Sequence, residues 1–207
     1  MKERLAPSPF SNYPRGMFKR LVLPLSFSLF FLAPTDAKTI EGINIPAQTT
    51  VSGQSLVLNG AGVRSVKLVF IPIKAYVASF YAPEKLGTEK AVLASSGPLQ
   101  FNFTFLQGVN QSQVTQAWNA QFEDSVTFTY DGLAQDQIAF VKMFGPLKTG
   151  GVEKVEIQGN ETRVYDNGKL QGTIQGRNFQ KAFLSLWFGS KPVMPSLKSD
   201  LLGTANK

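Results

Sequence analysis

The stretch Leu58–Tyr81 reads LNGAGVRSVKLVFIPIKAYVASFY. Its opening Asn59-Gly60-Ala61-Gly62 is a turn or bulge signal that ends the strand-like run Ser55–Leu58. From Val63 to Tyr81 the chain is rich in β-branched and aromatic residues, among them Val66, Val69, Phe70, Ile71, Ile73, Tyr76, Val77 and Phe80. That is too long for one flat strand, and Pro72 is expected to kink it or divide it in two. Both faces of the run are apolar, which places it centrally in a sheet covered above and below.

Toward the N-terminus, Ile43-Asn44-Ile45-Pro46 and Gln48–Val51 read as short edge segments, Pro46 barring a central position. Toward the C-terminus, Lys85–Ser95 carries helix formers and stops at Ser96-Gly97-Pro98. Gln100–Phe105 alternates strictly, with Phe101, Phe103 and Phe105 on one side, as a half-buried strand does. Asn110 or Ser112 can cap a helix bearing Val114, Ala117, Trp118, Gln121 and Phe122 at helical spacing. A further helix is expected over about Leu133–Phe144, stopped by Gly145-Pro146. Val152–Ile157 alternates again. Asn167-Gly168 joins Thr162–Tyr165 to Leu170–Ile174 as a tight hairpin. A last helix runs over Asn178–Phe188, ended by Gly189 and Pro192. Strands early and late, with helices between and at the end, predict an α+β fold: an antiparallel sheet with helices on one face.

Composition narrows the chemistry. The 207 residues are 43% hydrophobic and include 17 Phe, enough to fill a core. The chain has neither Cys nor His, so disulfides, zinc sites of the usual nitrogen and sulfur ligands, and Cys or His nucleophile–base pairs are excluded. No metal or other cofactor is expected. Of the net charge of +7, residues 1–37 carry +3, and the remaining +4 or so is an ordinary solubility charge, not a nucleic-acid footprint.

Residues 1–37 read as an address. Lys19-Arg20 precedes the uncharged run Leu21–Leu32 (LVLPLSFSLFFL), which is followed by Ala33-Pro34-Thr35-Asp36-Ala37. This is the basic, apolar and small-residue order of a secretory signal with cleavage near Ala37. The run is shorter than the roughly twenty residues that a membrane span needs, so no stable span is expected in the mature form. Met17 would head a signal of ordinary length. Residues 1–16 therefore point to a mis-called start, with a disordered extension as the alternative. The mature domain is expected over 38–207, in the periplasm or secreted.

Leu58-Asn59-Gly60-Ala61-Gly62-Val63-Arg64 resembles the chalcone isomerase family, and the resemblance continues through Val77, Phe80 and Tyr81 to Pro83-Glu84-Lys85. Near the end, Gly172–Gly176, Asn178-Phe179, Leu186–Pro192, Ser196–Lys198 and Leu201–Gly203 look like its exported bacterial branch. The resemblance covers nearly all of 40–203. It implies an open-faced β-sandwich, a large antiparallel sheet with helices packed on one side and a cleft between. The family holds plant enzymes that close a chalcone into a flavanone, and relatives without that activity, including plastid proteins that bind fatty acids.

The resemblance also implies site residues. Arg64 matches the Arg that stabilises an anionic substrate in the enzymes, and an Arg in this region holds the carboxylate in the fatty-acid-binding relatives. A guanidinium suits both roles, because it stays charged and offers a planar fork of donors to an oxyanion. Tyr76 aligns with a catalytic Thr of the enzymes, and its even spacing from Arg64 puts both on one face of an unbroken strand. Asn110 and Ala117 fall where the enzymes bear a substrate-contacting Tyr and Asn. Ser185 lies one residue out of register with a Ser/Thr of the enzymes. Each missing donor at a developing anion costs on the order of 10²–10³ in rate. The expectation is therefore a binding module for a fatty acid or similar small apolar or amphiphilic carboxylate, with Arg64, Tyr76, Asn110 and Ser185 as ligand-binding residues. Phe101, Phe103, Phe105, Phe122, Phe140 and Phe183 are candidates for the lining. The alternatives are an intramolecular lyase of the chalcone isomerase type and a partner-binding envelope protein docking through Lys191 and Lys198.

Overall fold

The computed structural model describes residues 37–68 and 71–205. The secretory signal expected over 1–37 lies, but for Ala37, outside them. The sheet is a meander of seven strands, each antiparallel to the next in the chain: β3 (Gln48–Val51), β4 (Gln54–Leu68), β5 (Ile71–Ala82), β6 (Leu99–Phe105), β7 (Val152–Gln158), β8 (Glu161–Asp166) and β9 (Lys169–Gln175). A small hairpin of β1 (Lys38–Ile40) and β2 (Ile43–Ile45) stands apart from the sheet's ladder. Five helices complete the described chain: α1 (Glu89–Ala94), α2 (Gln111–Ser125), α3 (Leu133–Val141), α4 (Arg177–Phe188) and α5 (Pro195–Leu201). Among the described residues no helix is long and apolar enough to cross a membrane.

Strand pleating assigns the two faces. Tyr76, Ala78, Phe80, Phe101, Phe103, Val155, Ile157, Val164 and Ile174 belong to the large core under the helices. The opposite face carries a smaller cluster of Val51, Leu56, Ala61, Val77 and Tyr81, closed by Ile45 of β2. The helices meet the sheet through apolar, mostly aromatic side chains spaced by four: Val114, Trp118 and Phe122 of α2, and Phe179, Phe183 and Trp187 of α4. Phe103 stacks on Trp187 with centroids 5.2 Å apart, and Phe101 meets Phe183 edge to face at 5.4 Å.

The Asn59–Gly62 segment does not end a strand. β4 runs through it for fifteen residues, with a bulge between Leu58 and Gly60. The glycines serve close packing, not a turn. A Cβ at Gly60 would collide with the backbone carbonyls of Asp200 and Leu201, and one at Gly62 with the Asp200 side chain. The buried Asn59 amide locks this contact: its Nδ2 donates to the Leu201 carbonyl (2.7 Å) and the Leu86 carbonyl (3.1 Å), and its Oδ1 accepts from the Leu86 N–H (2.6 Å).

The division expected at Pro72 falls earlier. β4 ends at Leu68, β5 begins at Ile71, and Pro72 lies within β5 opposite Lys67. Asn167 and Gly168 take the positive φ values (45° and 83°) that a tight hairpin turn between β8 and β9 requires.

Candidate functional site

A cavity of about 620 Å³ opens between the helix-facing side of the sheet and α2, with the α4–α5 connection as a further wall. This volume lies within the range of small-molecule sites. The sheet contributes Arg64, Tyr76, Phe103, Phe105 and Glu153, α2 contributes Val114, Trp118 and Gln121, and the connection contributes Lys191, Pro192 and Val193. The walls are thus mostly apolar, with a few polar groups set into them.

Arg64 and Tyr76 reach the cavity for a reason that strand parity along one chain does not supply. They sit on different strands, paired directly across β4 and β5, and paired residues share a face. Gly60 and Gly62 precede Arg64 on that face but lie against α5, so Arg64 is the first side chain of the row to clear that helix. Its Nη1 donates to the Ser65 carbonyl at 2.6 Å, and among the described residues it forms no ion pair. Tyr76 packs between Phe103 and Phe105, with centroids 5.3 and 5.5 Å away. Burial pushes its phenol up to about 12, against the opposing pull of the Arg64 charge, so the hydroxyl stays protonated and able to donate. The Trp187 indole N–H lies near this hydroxyl but short of hydrogen-bond geometry, and has no partner among the described residues.

Glu153 was not singled out by the sequence reading. It pairs with Phe103 of β6 and shares the inward face with Val155 and Ile157. It is 1% exposed, and neither carboxyl oxygen has a hydrogen-bond partner among the described residues. Burial, reinforced by Asp166 opposite it on β8, raises its pKa to about 9, which leaves it a neutral acid at pH 7. A usable signal was present: Glu153 has the parity of Val155 and Ile157, so a carboxyl was bound to face the core. Gln121 on α2 also presents a buried Oε1 without a partner among the described residues.

The other expected positions lie elsewhere. Asn110 is the exposed N-cap of α2: its Oδ1 accepts from Gln113 N–H (3.0 Å), and Gln113 Oε1 accepts in return from Asn110 N–H (2.9 Å). Ser185 is buried within α4 and donates to the Ala182 carbonyl at 2.7 Å. Neither lines the cavity. Of the six phenylalanines, Phe103 and Phe105 line it, while Phe101, Phe122, Phe140 and Phe183 are core. Lys198 pairs with Glu89 and donates to the Gly189 carbonyl, so its charge is already engaged; Lys191 is at the cavity wall.

Residues 37–203 match the family described as chalcone isomerase-like. A crystal structure of a fatty-acid binding protein from Arabidopsis thaliana is similar at a TM-score of 0.66 and 14% identity, over 82% of this chain and 97% of that one. At that identity the likeness speaks for the fold. No curated protein matches the sequence.

Proposed function

This chain belongs to the chalcone isomerase-like family, and on that footing we propose that it binds a fatty acid or similar apolar carboxylate in the cavity between sheet and α2. The observation that carries the reading is the guanidinium of Arg64 at the wall of an apolar cavity, beside a phenol that keeps its proton. The carboxylate lies against the Arg64 fork, the Tyr76 hydroxyl donates to it, and the hydrocarbon runs among Phe103, Phe105, Val114 and Trp118. Charge-assisted hydrogen bonds of this kind are the strong ones, and the apolar walls spare the tail from water. The fatty-acid-binding relative of the same fold favours this use over ring closure. So does the protonated state of Glu153, which supplies no base at neutral pH.

The chain acts outside the cytoplasm in this reading, as a member of the exported branch of the family with residues 1–37 removed. Native mass spectrometry of gently purified protein tests the binding function: a co-purifying lipid is expected. Arg64→Ala should weaken fatty-acid binding by roughly ten- to a hundredfold, and equal affinity of the two proteins would defeat the reading. Acceleration of chalcone absorbance loss over the spontaneous rate would favour the lyase instead.

A further inference from the structure

Glu153 is a liability for a site that holds only a hydrocarbon tail. An unsatisfied carboxyl in an apolar wall destabilises whatever covers it, because methylenes strip away water and offer no replacement hydrogen bond. Gln121 adds a second buried oxygen without a partner among the described residues, from the helix wall of the same cavity.

We propose that Glu153, together with Gln121, forms a second polar pole that selects amphiphilic acids carrying a hydroxyl group on the chain. The inference rests on carboxylate binding at Arg64. Arg64 is on β4 and Glu153 on β7, with β5 and β6 between them, so the strands that carry the two poles lie about 14 Å apart at ordinary strand spacing, while Tyr76 stands between them within electrostatic reach of both. The ligand's head and its hydroxyl therefore meet side chains from different strands, and the hydroxyl belongs to the chain beyond the head group.

The chemistry favours a hydroxyl over a carbonyl or an amine. A protonated carboxyl presents one donor and an acceptor, which a hydroxyl answers with an acceptor and a donor. A carbonyl would satisfy only the donor. The Gln121 Oε1 accepts only, so the hydroxyl's one proton goes either to it or to the Glu153 carbonyl oxygen, while the hydroxyl oxygen accepts from the Glu153 O–H. An ammonium would compete with Arg64 and Lys191 for the same cavity potential. The proton on Glu153 at neutral pH also keeps this pole free of the negative charge that would repel an acidic ligand.

The test measures binding of palmitate and of monohydroxypalmitates with the hydroxyl at successive chain positions, at pH 7, to the wild-type protein and to Glu153→Leu and Glu153→Gln. Wild-type protein should favour at least one mid-chain hydroxy isomer over palmitate by about tenfold or more. Glu153→Leu should erase that preference and bind palmitate at least as well as before. Glu153→Gln, which keeps a donor and an acceptor, should retain much of it and guards against a fold defect in the leucine variant. Equal wild-type affinity for palmitate and every isomer overturns the proposal while leaving carboxylate binding intact. A preference that survives in Glu153→Leu also overturns it. Absence of binding by any of the acids removes both.

Discussion

Arg64 and Tyr76 are direct cross-strand partners in the β4–β5 ladder, so the charge and the phenol at the cavity wall are held by one pair of backbone strands. Their spacing does not depend on a loop. Tyr76→Phe removes a single neutral donor and should lower fatty-acid affinity by about three- to tenfold. Arg64→Lys keeps the charge but loses the fork, and should fall between wild type and Arg64→Ala. Isothermal titration across the four proteins checks the ranking. Because the phenol titrates near 12, Tyr76 should contribute no step to the binding profile between pH 6 and 9.

Asn110→Ala should cost about 1 kcal/mol of stability in urea melts, the value of a capping side chain, and leave fatty-acid affinity unchanged. A tenfold affinity loss in this variant would place Asn110 in contact with the ligand after all.

Much of the architecture could be read from the chain, and the exceptions have physical causes. The Phe101-Phe103-Phe105 alternation and the Asn167-Gly168 turn are local signals, and both elements form where expected, though β6 is covered on both faces, with Gln100 buried. The β4–β5 reversal is different. It joins Leu68 to Ile71 without the Gly or Asn that marks a tight turn, so Pro72 drew the boundary instead. Gly60 and Gly62 advertise a turn in sequence, yet their use is to admit α5, a contact that no local pattern encodes. The site divides in the same way. Arg64 and Tyr76 both stand out through resemblance, Tyr76 with the added support of a parity rule whose premise, one unbroken strand, does not hold. Ser185 and four of the phenylalanines pointed to the core, because periodicity says which face a residue takes but not where the packing leaves a void. Glu153 was legible in its parity with Val155 and Ile157.

Gly62→Ala should destabilise the fold by on the order of 1–3 kcal/mol, the usual cost of overpacking, since its new methyl meets Asp200 of α5. The urea midpoint is the measurement, with unchanged m-value showing that the folded state alone is affected.

Glu153 predicts a pH dependence of stability. Its carboxyl titrates near 9 in the folded protein and near 4.5 when unfolded, so between those values the folded state binds more protons. Its contribution is therefore fully present below about pH 4.5 and is lost as pH rises toward about 9, with a slope approaching 1.4 kcal/mol per pH unit at most. Asp166 on β8 reinforces the shift, and Arg64 on β4 and Tyr76 on β5 line the same cavity. Glu153→Gln should flatten the stability profile between pH 6 and 9. An identical slope in the variant would assign the proton uptake elsewhere.

Export is checked at the N-terminus. Protein recovered from the extracytoplasmic fraction should begin at Lys38, and intact mass measurement reads this directly. Recovery of full-length chain from the cytoplasm would overturn the assignment.

The amide of Asn59 clasps the carbonyl of Leu201, 142 positions further along the chain. Contacts between such distant partners are slow to form, since a long loop must close before it is rewarded. The wall made by Lys191–Val193 belongs to the same late-arriving segment. A half-made polypeptide thus contains Arg64 but not the wall that would enclose it, and a closed cavity waits on the docking of the final helix.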